Sequence, residues 1–295
     1  MSLIESALEK LRRGGEGNAD SAPVMRSASS AVAPKAPVVA LAPVSDEPAR
    51  RITIDSESLR RAGYLPEEGL ERRFADHYRQ VKRPLIEKAL NGGPEMRILL
   101  VTSALPGDGK TFTSINLALS MARERDVSVL LVDADGPKAQ VSEVLNLKGE
   151  RGLLDALGDE SLDIESLVVR TDIRGLEVLP AGRFIENATE LLASARMSQL
   201  ASRLAARNSR RLIVFDSAPL LVSSEARALT RIPGQIVLVV RAGATPQQAV
   251  VDAVAHLERQ RLQGLVVNQA RFSPGDGYYG YPSYGEANDK KSGAD

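Results

Sequence analysis

From residue 97 onward the chain alternates between two hydrophobic periods. Ile98-Leu-Leu-Val101 is a continuous apolar run, and similar runs recur at 127–132, 212–215, 236–240 and 265–267, with a shorter one at 176–179. Uninterrupted apolar runs of this length are what strands buried on both faces require. Between them, residues 110–125, 188–207 and 246–261 place apolar side chains at three- and four-residue intervals, the helical period. Asn187 with Glu190 three residues on reads as the N-cap of the second of these helices. Strands alternating with helices form βαβ units. The predicted fold is therefore α/β: a doubly wound, mostly parallel sheet with helices on both faces. Upstream, 70–90 reads as a charge-rich helix stopped by Asn91-Gly92-Gly93-Pro94, and Ile52 and Ile54 read as a short extended piece.

The flanks have a different character. In residues 1–13, Leu3, Ile4, Ala7, Leu8 and Leu11 fall at helical spacing, with charges between them that exclude the apolar core of a signal peptide. Such a helix either docks on its own domain and frays, or serves a partner or a membrane surface. Residues 14–50 are Ala-, Pro- and Ser-rich and read as a flexible linker. The predicted domain covers 51–272, and 273–295 reads as a disordered tyrosine-rich tail.

Composition narrows the chemistry. Lys+Arg 38 balance Asp+Glu 38, so no global positive field exists to collect nucleic acid. With no cysteine, disulfides, thiolate metal sites and cysteine nucleophiles are excluded, and a reducing, cytoplasmic compartment fits. The only two histidines, His77 and His256, make a histidine metal site unattractive. No apolar run approaches the ~20 residues of a membrane-spanning helix.

The first chemical motif is the stretch from Ala104 through Leu105, Pro106, Gly107, Asp108 and Gly109 to Lys110 and Thr111, followed by Phe112. It lies between a strand and a helix, the context that a P-loop demands. Gly107 and Gly109 let backbone N–H groups turn toward phosphates. The helix N-terminus adds its positive end. Lys110 is placed for the β- and γ-phosphates of ATP, and the Thr111 hydroxyl for Mg²⁺. Ala104 replaces the first glycine of the pattern. Asp133 and Asp135 end one apolar strand and Asp216, in Asp216-Ser-Ala-Pro219, ends another. Ligands of parallel sheets bind at the carboxyl ends of strands, so these acids converge on the P-loop edge. The tail gathers four of the six tyrosines, Tyr278, Tyr279, Tyr281 and Tyr284, among Gly, Pro and Ser, where a regular element does not form. Exposed tyrosines on a mobile segment suit phosphate acceptance.

Together these motifs resemble the bacterial tyrosine kinases, P-loop proteins of the MinD/ParA-like class. The P-loop, the apolar strand ending Asp133-Ala-Asp135, and the apolar strand with Asp216-x-x-Pro219 match the family's three signatures. The start Met1-Ser-Leu-Ile-Glu5, Leu179-Pro-Ala-Gly182 and 187–193 resemble the branch associated with exosortase A and exopolysaccharide gene clusters. The resemblance implies a protein tyrosine autokinase that uses ATP and Mg²⁺ and regulates exopolysaccharide synthesis and export. Lys110, Asp133, Asp135 and Asp216 become the catalytic set, with Asp133 a candidate base and its exchange with Asp135 left open. Thr111, Asp135 and Asp216 become the Mg²⁺ set. Asn268 becomes an adenine contact or a strand-end cap. Tyr278, Tyr279, Tyr281 and Tyr284 become phosphoacceptors in trans within a ring-shaped homo-oligomer. A transmembrane polysaccharide chain-length regulator becomes the activator, holding the kinase at the inner face of the membrane only through that partner.

Three further features bear on this reading. Arg79 and Lys82, at i, i+3 on the 70–90 helix, resemble the family's assembly motif or form a solvated face. The basic cluster Arg203, Arg207, Arg210 and Arg211 faces a partner or acidic lipid, or complements its own helix dipole. Gly136-Pro137-Lys138 stands where the family carries an arginine, and a lysine supplies a point charge without the bidentate fork. Two other functions stay open: an ATP-binding scaffold without turnover, and a MinD/ParA-like ATPase. Leu105, where that second class carries a lysine, speaks against the latter.

Overall fold

The computed structural model describes residues 50–183 and 186–270. The 1–13 helix, the linker up to residue 49 and the tyrosine tail lie outside the described residues.

Among the described residues seventeen helices and strands follow in chain order. They are β1 (Arg51–Ile52), α1 (Ser56–Arg61), α2 (Glu71–Asn91), β2 (Ile98–Ser103), α3 (Lys110–Ala122), β3 (Ser128–Ala134), α4 (Gln140–Val144), α5 (Leu153–Gly158), β4 (Val169–Thr171), β5 (Leu176–Leu179), α6 (Ala188–Leu192), α7 (Ala195–Ala206), β6 (Arg211–Ser217), α8 (Ser224–Leu229), β7 (Gln235–Arg241), α9 (Gln247–Ala255) and β8 (Leu262–Asn268), with two short 3₁₀ turns besides. The strands form one eight-stranded sheet in the order β1-β4-β5-β3-β6-β2-β7-β8. Pairing is parallel except between β4 and β5.

Strand alternation sorts the core onto two faces. Leu99 and Val101 of β2 join a cluster built with α1, α2, α3 and α4. Ile98 and Leu100 join the opposite cluster, built with α5, α6, α7, α8 and α9. The central strands β2 and β6 are buried at every position, which explains their unbroken apolar sequence.

The three helices predicted after residue 97 are all shorter than their periodicity implied, the first ending at Ala122. The 188–207 segment is two helices, α6 and α7, because Ser194 takes an extended conformation (ψ 158°) and its hydroxyl accepts from the Met197 N–H. The Asn187 side chain makes no capping bond. The 246–261 segment ends as a helix at Ala255, and the chain then turns into β8.

Two charged clusters resolve into internal structure. Lys82 is 6% exposed, donates to the Ser120 carbonyl at 2.7 Å and pairs with Glu124 at 2.7 Å, locking α2 onto α3. Arg79 is exposed and pairs with Asp76 on its own helix, so the two residues do not act as one face. Arg211 is buried between Glu165 (2.7 Å) and Glu177 (2.6 Å). Arg203, Arg207 and Arg210 pair with Asp163, Glu165 and Asp126. The arginine cluster is thus an intramolecular ion network, not an unneutralised patch.

Candidate active site

The loop after β2 takes its shape from two glycines and one aspartate. Gly107 (φ 86°) and Gly109 (φ 94°) sit in the left-handed region that favours glycine. A Cβ at Gly107 meets open space, whereas one at Gly109 lies 1.9 Å from the Asn268 amide nitrogen. Asp108 is 4% exposed. Its carboxylate accepts from the Leu105 N–H (2.9 Å) and from the Thr245 hydroxyl (2.6 Å). Its carbonyl accepts from the Asn268 amide at 3.0 Å. Asp108 therefore braces the loop, and its contribution to a phosphate is limited to backbone. Pro106 and Gly107 form the exposed crown of the loop. Phe112, on the first turn of α3, packs edge-on against Phe74 with ring centroids 6.0 Å apart.

Register then brings the acids alongside. Val101 of β2 and Asp133 of β3 both pair with Asp216 of β6. Lys110 Nζ donates to Asp135 Oδ2 at 2.8 Å, with both side chains largely buried. The Thr111 and Ser114 hydroxyls donate to the two oxygens of Asp216, each at 2.8 Å. Asp133 Oδ2 accepts from the Ser142 N–H and hydroxyl, both at 2.7 Å, and Oδ1 from the Asp135 N–H at 3.3 Å. The Ser142 hydroxyl in turn accepts from the Ala181 N–H. These bonds tie the loop after β3 to the one after β5.

Burial and crowding set the charges. Asp133 is pushed up to about 7, by burial first and the Asp216 charge second, against the donors of Ser142. Burial also raises Asp216, outweighing the attraction of Lys110 and the two hydroxyl donors. For Lys110, burial works downward, but the carboxylates of Asp216 and Asp135 prevail and raise it. Carboxylates outnumber cations here, so the site favours a positively charged ligand near Asp135 and Asp216 and an anion over the loop.

The predicted residues Lys110, Thr111, Asp133, Asp135 and Asp216 meet at one sheet edge, and Asn268 reaches the loop from β8. Ser114, Ser142 and Thr245 were missed. Ser114 lies one turn beyond Thr111 on the same helix face, a spacing that identifies it as a second donor. Ser142 and Thr245 have no such signal, since only the fold brings them to Asp133 and Asp108. Beyond Asp135, Gly136 is buried, and the Lys138 side chain is exposed and forms no ion pair among the described residues. Ala139 is held at φ 45°, a left-handed conformation unusual for a side chain with a Cβ.

A family profile described as an AAA domain matches residues 96–258, more than half of the chain. The tyrosine-protein kinase YwqD of Bacillus subtilis (strain 168) is 33% identical over 190 residues, which cover 63% of this chain and 78% of that protein. The chain belongs to the bacterial tyrosine kinases. The curated relatives that show this family are named tyrosine-protein kinases. Salmonella typhimurium tyrosine-protein kinase wzc is 30% identical over 200 residues, 66% of this chain but only 27% of that longer protein. Among solved structures, the kinase domain of Escherichia coli tyrosine kinase ETK superposes with a TM-score of 0.59 at 27% identity, covering 70% of this chain and 80% of that one.

Proposed function

We propose that this protein is an ATP-dependent tyrosine autokinase whose acceptors are Tyr278, Tyr279, Tyr281 and Tyr284. The observation that carries the reading is the convergence of Lys110, Thr111, Asp135 and Asp216 within hydrogen-bonding distance beneath a glycine loop that an anion can enter.

The donor set fits magnesium. Mg²⁺ is typically held by one or two carboxylates together with phosphates and water, not by an all-protein cage. Thr111, Asp135 and Asp216 supply such a partial set, and among the described residues no group of three or more acids or histidines could hold a metal by itself. When bound, Mg²⁺ neutralises charge on the transferring phosphoryl group. The protein's own part is positional. Loop N–H groups and Lys110 hold the phosphates, Lys110 exchanging Asp135 for phosphate oxygen. Pro106, Gly107, Asp108 and Gly109 contribute backbone. A tail tyrosine of a neighbouring subunit brings its hydroxyl in line with the γ-phosphate. A tyrosine hydroxyl with an unperturbed pKa of ~10 benefits from a base. Asp133 has the affinity for a proton that suits this task near neutrality, but both its oxygens are occupied and it is fully buried. Acting as the base requires residues 136–142 to shift, and Asp135 is the alternative.

Regulation of exopolysaccharide synthesis and export, through a ring of subunits activated by a transmembrane chain-length regulator, follows from the branch resemblance. No helix among the described residues is long and apolar enough to cross a membrane. Each phosphate adds roughly two negative charges to the tail, and their repulsion loosens the ring. One observation favours a second reading, an ATP-binding scaffold: Lys138 points to solvent where the family carries an arginine. Purified protein supplied with ATP, Mg²⁺ and the activator's cytoplasmic segment separates the two. An autokinase incorporates label that Lys110→Met abolishes, and a scaffold binds nucleotide without turnover.

A further inference from the structure

Asp108 places a carboxylate in the middle of a loop built to receive an anion. It stands between Gly107 and Gly109, whose left-handed conformations turn backbone N–H groups toward a phosphate. The carboxylate is nevertheless folded under the loop: Asp108 is 4% exposed, while Pro106 and Gly107 are exposed above it. The hydrogen bonds that hold it come from neutral donors, the Leu105 N–H at 2.9 Å and the Thr245 hydroxyl at 2.6 Å. The charge of Lys110, two residues on, is spent on Asp135. Leu105 belongs to the same loop, so Thr245 is what anchors this carboxylate to the rest of the fold. Thr245 is itself fixed in the turn after β7. Its hydroxyl oxygen accepts from the Arg241 N–H at 2.8 Å, and its own N–H donates to the Arg241 carbonyl at 3.0 Å. A hydroxyl has one proton to donate, and here it goes to Asp108.

We propose that Thr245 is a positioning residue for the phosphate site, acting through Asp108: its hydroxyl keeps the Asp108 carboxylate turned away from the loop N–H groups that a phosphate needs. The inference rests on the reading of the P-loop as a phosphate site. A buried carboxylate that loses a donor is left short of hydrogen bonds, which is costly. The replacements within reach are the N–H groups of its own loop. A carboxylate there competes with phosphate oxygen for the same donors and repels it by charge. The backbone of Asp108 has a separate tether, since its carbonyl accepts from the Asn268 amide at 3.0 Å. Losing the Thr245 hydroxyl therefore frees the carboxylate while the loop keeps its place. The role belongs to the hydroxyl and not to the bulk of the side chain, because valine has the same shape without the donor.

The test is calorimetric titration of the full chain with ADP and with pyrophosphate, each with Mg²⁺, so that no turnover intervenes. Thr245→Val removes the hydroxyl at constant shape, Thr245→Ser keeps it, and Asp108→Asn removes the charge that it controls. Circular dichroism confirms that each variant is folded, and Thr245→Ala replaces Thr245→Val if the latter is not. The expected result for Thr245→Val is a loss of roughly tenfold in affinity for both ligands, the scale of one hydrogen bond to a charged group. Thr245→Ser should bind as the wild type does. In the Asp108→Asn background, Thr245→Val should change neither affinity. Unchanged binding by Thr245→Val, an equal loss in Thr245→Ser, or the same loss in the Asp108→Asn background would each overturn the proposal while leaving the phosphate site intact. A loss confined to ADP would overturn it too, since the effect would then not lie on the phosphates. Wild-type protein that binds neither ligand would overturn the phosphate site as well.

Discussion

The ammonium of Lys110 is held 2.8 Å from Oδ2 of Asp135, so the lysine proposed to bind phosphate is neutralised by the carboxylate proposed to serve the metal. Nucleotide must break this pair. Asp135→Asn removes the competing charge. It is expected to tighten binding of ADP without magnesium by roughly tenfold, the scale of one charge-assisted hydrogen bond. It is also expected to lower phosphoryl transfer by about 10²-fold or more, as loss of preorganised electrostatics does. Fluorescence titration and phosphotyrosine formation read the two effects, and weaker magnesium-free binding would contradict the first.

Gly109 and Asn268 share one space. A side chain at Gly109 collides with the Asn268 amide and also meets a φ of 94°. Gly109→Ala is expected to abolish tight nucleotide binding and to cost about 1–2 kcal/mol from backbone conformation alone. Adding Asn268→Ala removes the collision but not the backbone strain. The double variant should therefore recover part of the stability lost in Gly109→Ala, a non-additivity measurable by urea denaturation. Strict additivity would show that the two residues are not in contact.

Asp133 provides a pH signature. Its folded pKa, about 7, lies above the unfolded carboxylate value near 3.8. Between these values the folded state binds more protons, so this group makes stability fall as pH rises through about 4 to 7. Asp133→Asn should flatten the dependence of the thermal midpoint on pH across that window. An unchanged slope would contradict the assignment.

Two structural predictions concern the scaffold. Arg211→Ala leaves Glu165 and Glu177 facing each other at the base of β6 and β5, and is expected to cost about 3–5 kcal/mol, as breaking a buried ion network does. Ala139→Gly relieves a left-handed alanine and should stabilise the protein by about 1 kcal/mol. Chemical denaturation measures both.

These predictions draw unequally on the sequence. The central strands were legible because their burial on both faces demands unbroken apolar runs, Lys110 and Thr111 because the P-loop spacing places them at the start of α3, and Asp135 and Asp216 because they close apolar runs, whereas the short β4 carries no such run. What stayed hidden depends on long-range placement. Ser142 reaches Asp133, Thr245 reaches Asp108 and Lys82 reaches Ser120 only once the sheet order is set. The break at Ser194 was masked because helical periodicity continues across it, and the Arg211 network looked like a surface patch because its acids are distant in sequence.

The most direct test of the kinase account is phosphopeptide mass spectrometry of the full chain after incubation with ATP, Mg²⁺ and the proposed membrane activator. The account predicts phosphate on Tyr278, Tyr279, Tyr281 or Tyr284, absent in Lys110→Met. Release of ADP with no phosphotyrosine anywhere in the chain would contradict it.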